Sequence, residues 1–240
     1  MDCFKKLFSA PVGAAPAKVI PIENVSPVKL SKDKILGIDV SHYEPAVDWV
    51  KAKAGGVLWM YTKASEGSGH VDVMLHKHCD AAKAAGVYTG AYHFFHASVD
   101  GAEQAKLFLK TINGMKLDLP PCLDWESGSA DGVAAATQKV RARAWLDEVE
   151  KATGRVPVIY GGEAFMRELR LDPEFARYPL WLAHYGVKEA SVKCPAPWAK
   201  IAMWQYTDAE SVPGLGNGHH VDANWFYGSD EDLKKFCSIA

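Results

Sequence analysis

The sequence predicts an α/β fold, an irregular (β/α) barrel, TIM-like, whose last strands lack intervening helices. Three observations carry that reading. Five strand-like apolar runs alternate with helical segments through the first two thirds of the chain, and at that spacing successive strands lie parallel with right-handed crossovers. Three more strand-like runs follow with loops between them, and eight strands in all favour closure into a barrel. No glycine-rich phosphate fingerprint follows the first strand, which counts against an open dinucleotide-binding sheet.

The pattern begins after a leader. Residues 1–33 hold Pro11, Pro16, Pro21 and Pro27 among many Ala, Val and Lys and show neither helical nor strand period, so they read as an extended leader or tether. Residues 34–240 form the barrel. Its first strand is Ile35–Ser41, and a short helix from Val47 to Ala54 ends at Gly55 and Gly56. Val57–Thr62 is the second strand, Lys63 to Asp72 a loop containing Gly and Ser, and Val73 to Ala85 a helix stopped by Gly86. Val87–Phe95 is the third strand, followed by a helix from about Gly101 to Ile112. The fourth strand starts behind Pro120 and Pro121 and closes at Ser127–Ser129. After it comes the longest helix, about Val133 to Thr153, with one apolar stripe through Val133, Val140 and Ala144 and another through Trp145, Val149 and Ala152. Val156–Tyr160 is the fifth strand and Glu163 to Leu171 a short helix. The helix-free strands are Pro179–Tyr185, Ile201–Tyr206 and His220–Phe226, and Ser229 with Asp232 makes a capping box for a terminal helix ending at Phe236.

Composition narrows the function classes. With 240 residues, 48% hydrophobic and 23% charged, the chain can bury the core of one large domain. A net charge of −2 lacks the basic excess of a nucleic-acid binder, so no nucleic-acid partner is expected. Cys3, Cys79, Cys122, Cys194 and Cys237 are odd in number and never in a Cys-x-x-Cys spacing, and read as free thiols packed as small hydrophobes. No apolar run approaches the length of a membrane span, so stable membrane insertion is not expected. Lys5 and Lys6 before Leu7–Ala15 imitate a signal peptide, but the apolar stretch is short and broken by Pro11 and Gly13, which leaves the export route open. A monomer is expected.

The chemistry centres on Asp124 and Glu126. Side chains alternate along a strand, so these two acids project to one face while Trp125 takes the other. Like charges that close raise at least one pKa, and a carboxyl held protonated near neutral pH can serve as a general acid. Two such carboxyls are the minimum equipment for cleaving a glycosidic bond. An isolated Asp-x-Glu more often caps a helix or meets a surface lysine; the neighbours decide the matter. Active sites of parallel barrels gather at the C-terminal strand ends. There the chain places Asp39 and Ser41, Glu66, Tyr92 and His93, then Tyr160, Trp181, Tyr185, Trp204, Gln205 and Asp222. Aromatic faces beside carboxylates suit a sugar, whose C–H faces stack while its hydroxyls seek acceptors.

Gly37–Tyr43 with Val47-Asp48-Trp49 resembles the opening motif of glycoside hydrolase family 25, the Chalaropsis-type lysozymes. Tyr61–Gly67 resembles the family's second-strand element and Gly90–Phe94 its third, while Asp124-Trp125-Glu126 matches its Asp-x-Glu pair. Leu180–Tyr185, Trp204–Tyr206 and Val221–Asn224 resemble the closing strands, so the likeness runs in order from about residue 35 to 227. The resemblance implies an N-acetylmuramidase that cuts the β-1,4 bond between N-acetylmuramic acid and N-acetylglucosamine in bacterial peptidoglycan and acts on the cell wall. It implies Glu126 as general acid, Asp124 as its partner, and Asp39 and Asp222 as flanking acids. No cofactor is expected. Tyr92, His93, Tyr160, Trp181, Tyr185, Trp204, Gln205 and Glu66 are expected to bind substrate. Ser65 and His184 stand where the family usually has Thr and often has Gln. No further wall-binding module is expected after residue 227, which suits an enzyme meeting thin, accessible peptidoglycan, such as a phage endolysin.

Two other readings belong beside this one. A non-catalytic glycan-binding barrel would keep the aromatic cleft, but the intact Asp124 and Glu126 argue against it. A metal-dependent polysaccharide deacetylase would use histidines, of which there are nine. His76 and His78, two apart on a helix, face different sides, and His219 and His220 fall in a glycine loop, so no metal site is expected.

Overall fold

The computed structural model describes residues 33–216 and 219–237. The leader read over residues 1–33 lies outside the described residues except for Asp33, and so does Cys3. Among the described residues, nine strands form one sheet: β1 (Lys34–Val40), β2 (Trp59–Glu66), β3 (His70–Val71), β4 (Tyr88–Phe94), β5 (Cys122–Asp124), β6 (Val158–Gly162), β7 (Leu180–Ala183), β8 (Met203–Glu210) and β9 (Val221–Tyr227). Their order is β1-β9-β8-β7-β6-β5-β4-β2-β3, and a further β1 to β2 pairing closes the barrel on eight strands with β3 outside it. Helices α1 (Trp49–Ala54), α2 (Leu75–Ala84), α3 (Gly101–Thr111), α4 (Ala135–Thr153) and α5 (Glu163–Leu169) follow β1, the β2–β3 hairpin, β4, β5 and β6; α6 (Asp230–Cys237) follows β9.

Local chemistry sets the helix ends. Asp48 accepts from the Lys51 amide at 3.1 Å and Asp100 from the Glu103 amide at 3.1 Å, which starts α1 and α3. Gly154 stops α4 with φ +67°, a conformation glycine adopts without a Cβ penalty. The capping box of α6 is reciprocal: the Ser229 amide donates to Asp232 at 3.0 Å, and the Asp232 amide donates to the Ser229 hydroxyl at 3.3 Å.

Three expectations change. The segment after Thr62 is not a loop: β2 runs on to Glu66 and folds back into β3, with Ser65 opposite Val71 and Glu66 opposite His70. Strand β9 runs antiparallel to both β8 and β1, whereas the other barrel pairs are parallel. Antiparallel neighbours need only a tight return, and no helix lies between β8 and β9 among the described residues to carry a crossover. On α4 the buried face runs through Gln138, Ala142, Trp145, Leu146 and Val149, while Val140 is 70% exposed.

Alternation along the strands separates two cores. Ile35, Trp59, Tyr61, Cys122, Val158, Trp181, Met203 and Phe226 fill the lumen, with Leu233 of α6 packed against them. Gly37 lies on that inner face, where a Cβ would sit 2.1 Å from the Trp59 ring, so the small residue makes room for the indole. Ile38, Met60, Leu123, Trp125, Ile159 and Leu182 belong instead to the shell packed with Leu75, Phe108, Trp145 and Val149 of the helices. Cys79, Cys122 and Cys194 are buried free thiols and Cys237 is a half-buried one.

Candidate active site

The site opens at the end of β5. Trp125 is fully buried in the shell, its ring 6.0 Å from that of Phe95 and its Nε1 donating to Gln138 at 3.1 Å. With that side chain anchored outward and Glu126 still extended (φ −118°, ψ 161°), Asp124 and Glu126 share the inner face. Together with Asp39, Tyr92, Tyr160, Trp181 and Asp222 they line a pocket of about 70 Å³. Glu126 and Tyr160 also border a wider depression of about 360 Å³, edged by Gly162, Phe165, Ala183, His184 and Tyr185. The two spaces make one groove.

Register explains the gathering. Asp124 pairs with Tyr160, Tyr160 with Trp181, and Asp39 with Asp222. Because β9 runs against its neighbours, its first residues lie on the rim where the parallel strands end, which brings Asp222 beside Asp39. A polar web ties these groups down. Gln205 Nε2 and Asn224 Nδ2 each donate to Asp39 Oδ2 at 2.8 Å. Gln205 Oε1 accepts from the Tyr160 hydroxyl at 2.6 Å and from the Tyr185 hydroxyl, while Asn224 Oδ1 accepts from Trp181 Nε1 at 2.8 Å. With both tyrosines donating to its oxygen, the Gln205 amide nitrogen is turned toward Asp39.

Burial among like charges favours protonated carboxyls. Asp124, 7% exposed and with its Oδ1 lacking a hydrogen-bond partner, is pushed well above the usual carboxylate range by burial and by the Glu126 charge. Asp39 is raised by burial and by Asp222, against the two amide donors that favour its charged form. Asp222 is raised to about 6, mainly by burial and then by the Glu44 charge. Burial also raises the Tyr92 and Tyr160 phenols, which therefore stay neutral donors. Asp124 is thus held where its neutral form is favoured.

Three expected substrate contacts lie elsewhere. His93 follows inward-facing Tyr92 and so points into the shell, where it is fully buried, hydrogen-bonded to Ser65 and Gln104 and stacked on Trp145. Burial lowers its pKa to about 4, so it sits there as a neutral imidazole. Trp204 precedes inward-facing Gln205, belongs to the shell, and donates its Nε1 to the His184 carbonyl at 3.0 Å. Glu66 is held outside the pocket by Lys63 at 2.5 Å and by His96 at 2.9 Å. Asn224 is the site residue the sequence reading missed; its signal was the two-residue spacing from Asp222, which puts both on one face. The described residues also contain one group with metal-ligating chemistry, His42, His70 and Asp72, beyond the pocket lining.

The chain as a whole, with this site at its barrel rim, is similar to known proteins. Residues 38–215 match Glycosyl hydrolases family 25. An uncharacterised Escherichia coli (strain K12) protein, YegX, is 36% identical over 207 residues, covering 84% of this chain and 73% of its own. Lysozyme M1 of Streptomyces globisporus is 30% identical over 205 residues, covering 81% of this chain and 68% of its own. The crystal structure of a bacterial lysozyme from Streptomyces coelicolor superposes with a TM-score of 0.79 at 27% identity, covering 88% of this chain and all of that one. The chain belongs to glycosyl hydrolase family 25.

Proposed function

We propose that the protein is a lysozyme that hydrolyses the β-1,4 bond between N-acetylmuramic acid and N-acetylglucosamine of bacterial peptidoglycan, with Glu126 as general acid. One observation carries the residue roles: Asp39, Asp124, Glu126 and Asp222 converge with Tyr92, Tyr160 and Trp181 on a single pocket at the barrel rim. Glu126 lies where the small pocket meets the wider groove, so a sugar chain in that groove can present its glycosidic oxygen to it. An acetamido N–H donating to Asp124 favours its ionised form and leaves the proton to Glu126.

The substrate's acetamido carbonyl oxygen then attacks the anomeric carbon as Glu126 protonates the departing oxygen. A cyclic oxazolinium forms, its positive charge facing the ionised Asp124. Water, deprotonated by Glu126, opens that ring from the face the leaving group vacated, so configuration is retained. Tyr160 and Tyr185 frame the groove and orient the sugar, held from behind by the buried Gln205, and Trp181 supplies an apolar floor. The protein works as a monomer on the wall from the periplasmic or extracellular side, and residues 1–33 serve as a leader or tether to the 34–240 barrel. No helix among the described residues is long and apolar enough to cross a membrane.

Digestion of purified peptidoglycan tests both the bond and the route. Fragments ending in reducing N-acetylmuramic acid, released first as the β anomer in proton NMR spectra, are expected. N-acetylglucosamine ends would refute the bond assignment, and a first-formed α anomer would refute retention.

A further inference from the structure

His42, His70 and Asp72 come from two separate stretches that the barrel brings together. His42 is in the turn after β1. His70 is on β3 and Asp72 directly follows that strand, so the two lie at i and i+2 of an extended segment and project to one side. One potential ligand atom from each of the three lies within 4.8 Å of the others. The His42 and His70 rings are 6.1 Å apart, and His42 Nδ1 is 2.7 Å from Asp72 Oδ2. Asp72 is the anchor. Its side chain is fully buried, its Oδ1 accepts from the Met74 amide at 2.8 Å, and its Oδ2 accepts from the His42 amide at 3.1 Å.

A buried carboxylate calls for a compensating cation, and among the described residues no lysine or arginine pairs with Asp72; the basic groups near it are imidazoles, His42 at 2.7 Å, His70 within 4.8 Å, and His78. Two imidazoles and a carboxylate with an open side are a borderline-soft donor set, suited to Zn²⁺ and its neighbours rather than to Mg²⁺ or Ca²⁺. Tetrahedral Zn²⁺ places its ligand atoms about 3.3 Å apart, a contraction that the half-buried His42 and exposed His70 can supply by side-chain rotation while Asp72 stays fixed. We propose that His42, His70 and Asp72 form a binding site for one divalent transition-metal ion, Zn²⁺ being the best fit.

The ion clamps the β2–β3 hairpin to the turn after β1. That turn carries Glu44, whose carboxylate accepts from the Ser41 amide at 2.9 Å and whose charge helps to raise Asp222. The site therefore fastens the turn that carries Glu44 without touching the pocket that holds Glu126. This is a structural ion, and the hydrolysis proposed above does not run through it.

Isothermal titration of tag-free, metal-stripped protein with ZnCl₂ tests the assignment. One equivalent bound at micromolar Kd or tighter is expected, with at least a tenfold loss of affinity in His70→Ala, an exposed substitution that leaves the fold intact. Asp72→Asn and His42→Ala should lose the site as well, but Asp72 also helps to start α2, so His70→Ala decides. Cobalt(II) offers a second readout: the wild type should develop the visible bands of a low-coordinate cobalt ion, and His70→Ala should not. Absence of stoichiometric binding, or equal Zn²⁺ and cobalt(II) binding by His70→Ala, would overturn the proposal and leave His42 and Asp72 as an ordinary hydrogen-bonded pair.

Discussion

Asp222 shows how the site's charges oppose stability. An aspartate in an unfolded chain titrates near 3.9, and here burial and Glu44 hold the native group at about 6. Between those values the native state binds more protons than the unfolded one, so stability is full below about pH 4 and is lost as pH rises through 6. Asp124 and Asp39 shift in the same direction and add to the effect. Asp222→Asn removes the ionisation cost, so it should stabilise the protein by about 1–3 kcal/mol at pH 7 and by little at pH 3.5, while slowing hydrolysis. Thermal melts at the two pH values check the sign. A mutant less stable than wild type at pH 7 would mean that the Asp222 charge is compensated in a way this geometry lacks. At this scale the inward acids were legible because each sits at or just past a strand end, Asp124 and Glu126 two residues apart on one face. Adjacent pairs were not: Tyr92 with His93 and Trp204 with Gln205 were assigned together, yet neighbours on a strand face opposite ways and only one of each pair enters the groove.

Elements were legible where apolar runs alternate with helical periods and caps, and α6 follows its Ser229–Asp232 box closely. The misread elements share a cause: their form depends on a partner distant in sequence. Nothing local distinguishes Lys63–Glu66 from a loop, since the segment becomes strand by pairing with β4 and β3. Likewise the reversed direction of β9 comes from its docking between β8 and β1. Packing between α3 and α4 gives a test at this level. Gly101 opens α3 against α4 so closely that a Cβ would lie 1.8 Å from the Arg141 carbonyl oxygen. Gly101→Ala should therefore cost about 3 kcal/mol or more in denaturant unfolding, because backbone must move. Gly69→Ala, with nothing within 4 Å of its Cβ, should stay within about 0.5 kcal/mol. A small loss at Gly101 would mean that the helices separate easily.

The barrel holds four carboxyls at one rim, and burial there disfavours the ionisation of Asp39, Asp124 and Asp222. The parallel strands β1 and β5 deliver Asp39, Asp124 and, just past the end of β5, Glu126, and the reversed β9 returns Asp222 to the same place. In the proposed reaction Glu126 carries the proton to the leaving oxygen. Glu126→Gln keeps shape and hydrogen-bonding reach but cannot donate that proton, so its effect isolates the chemistry from the binding. The measurement is clearing of purified peptidoglycan by wild type and by Glu126→Gln, with binding to the insoluble wall followed in parallel. Clearing by the wild type is expected, with a loss of about a thousandfold or more in the mutant and wall binding unchanged. A wild type that binds without releasing fragments, or a mutant that clears as well as wild type, would contradict this expectation.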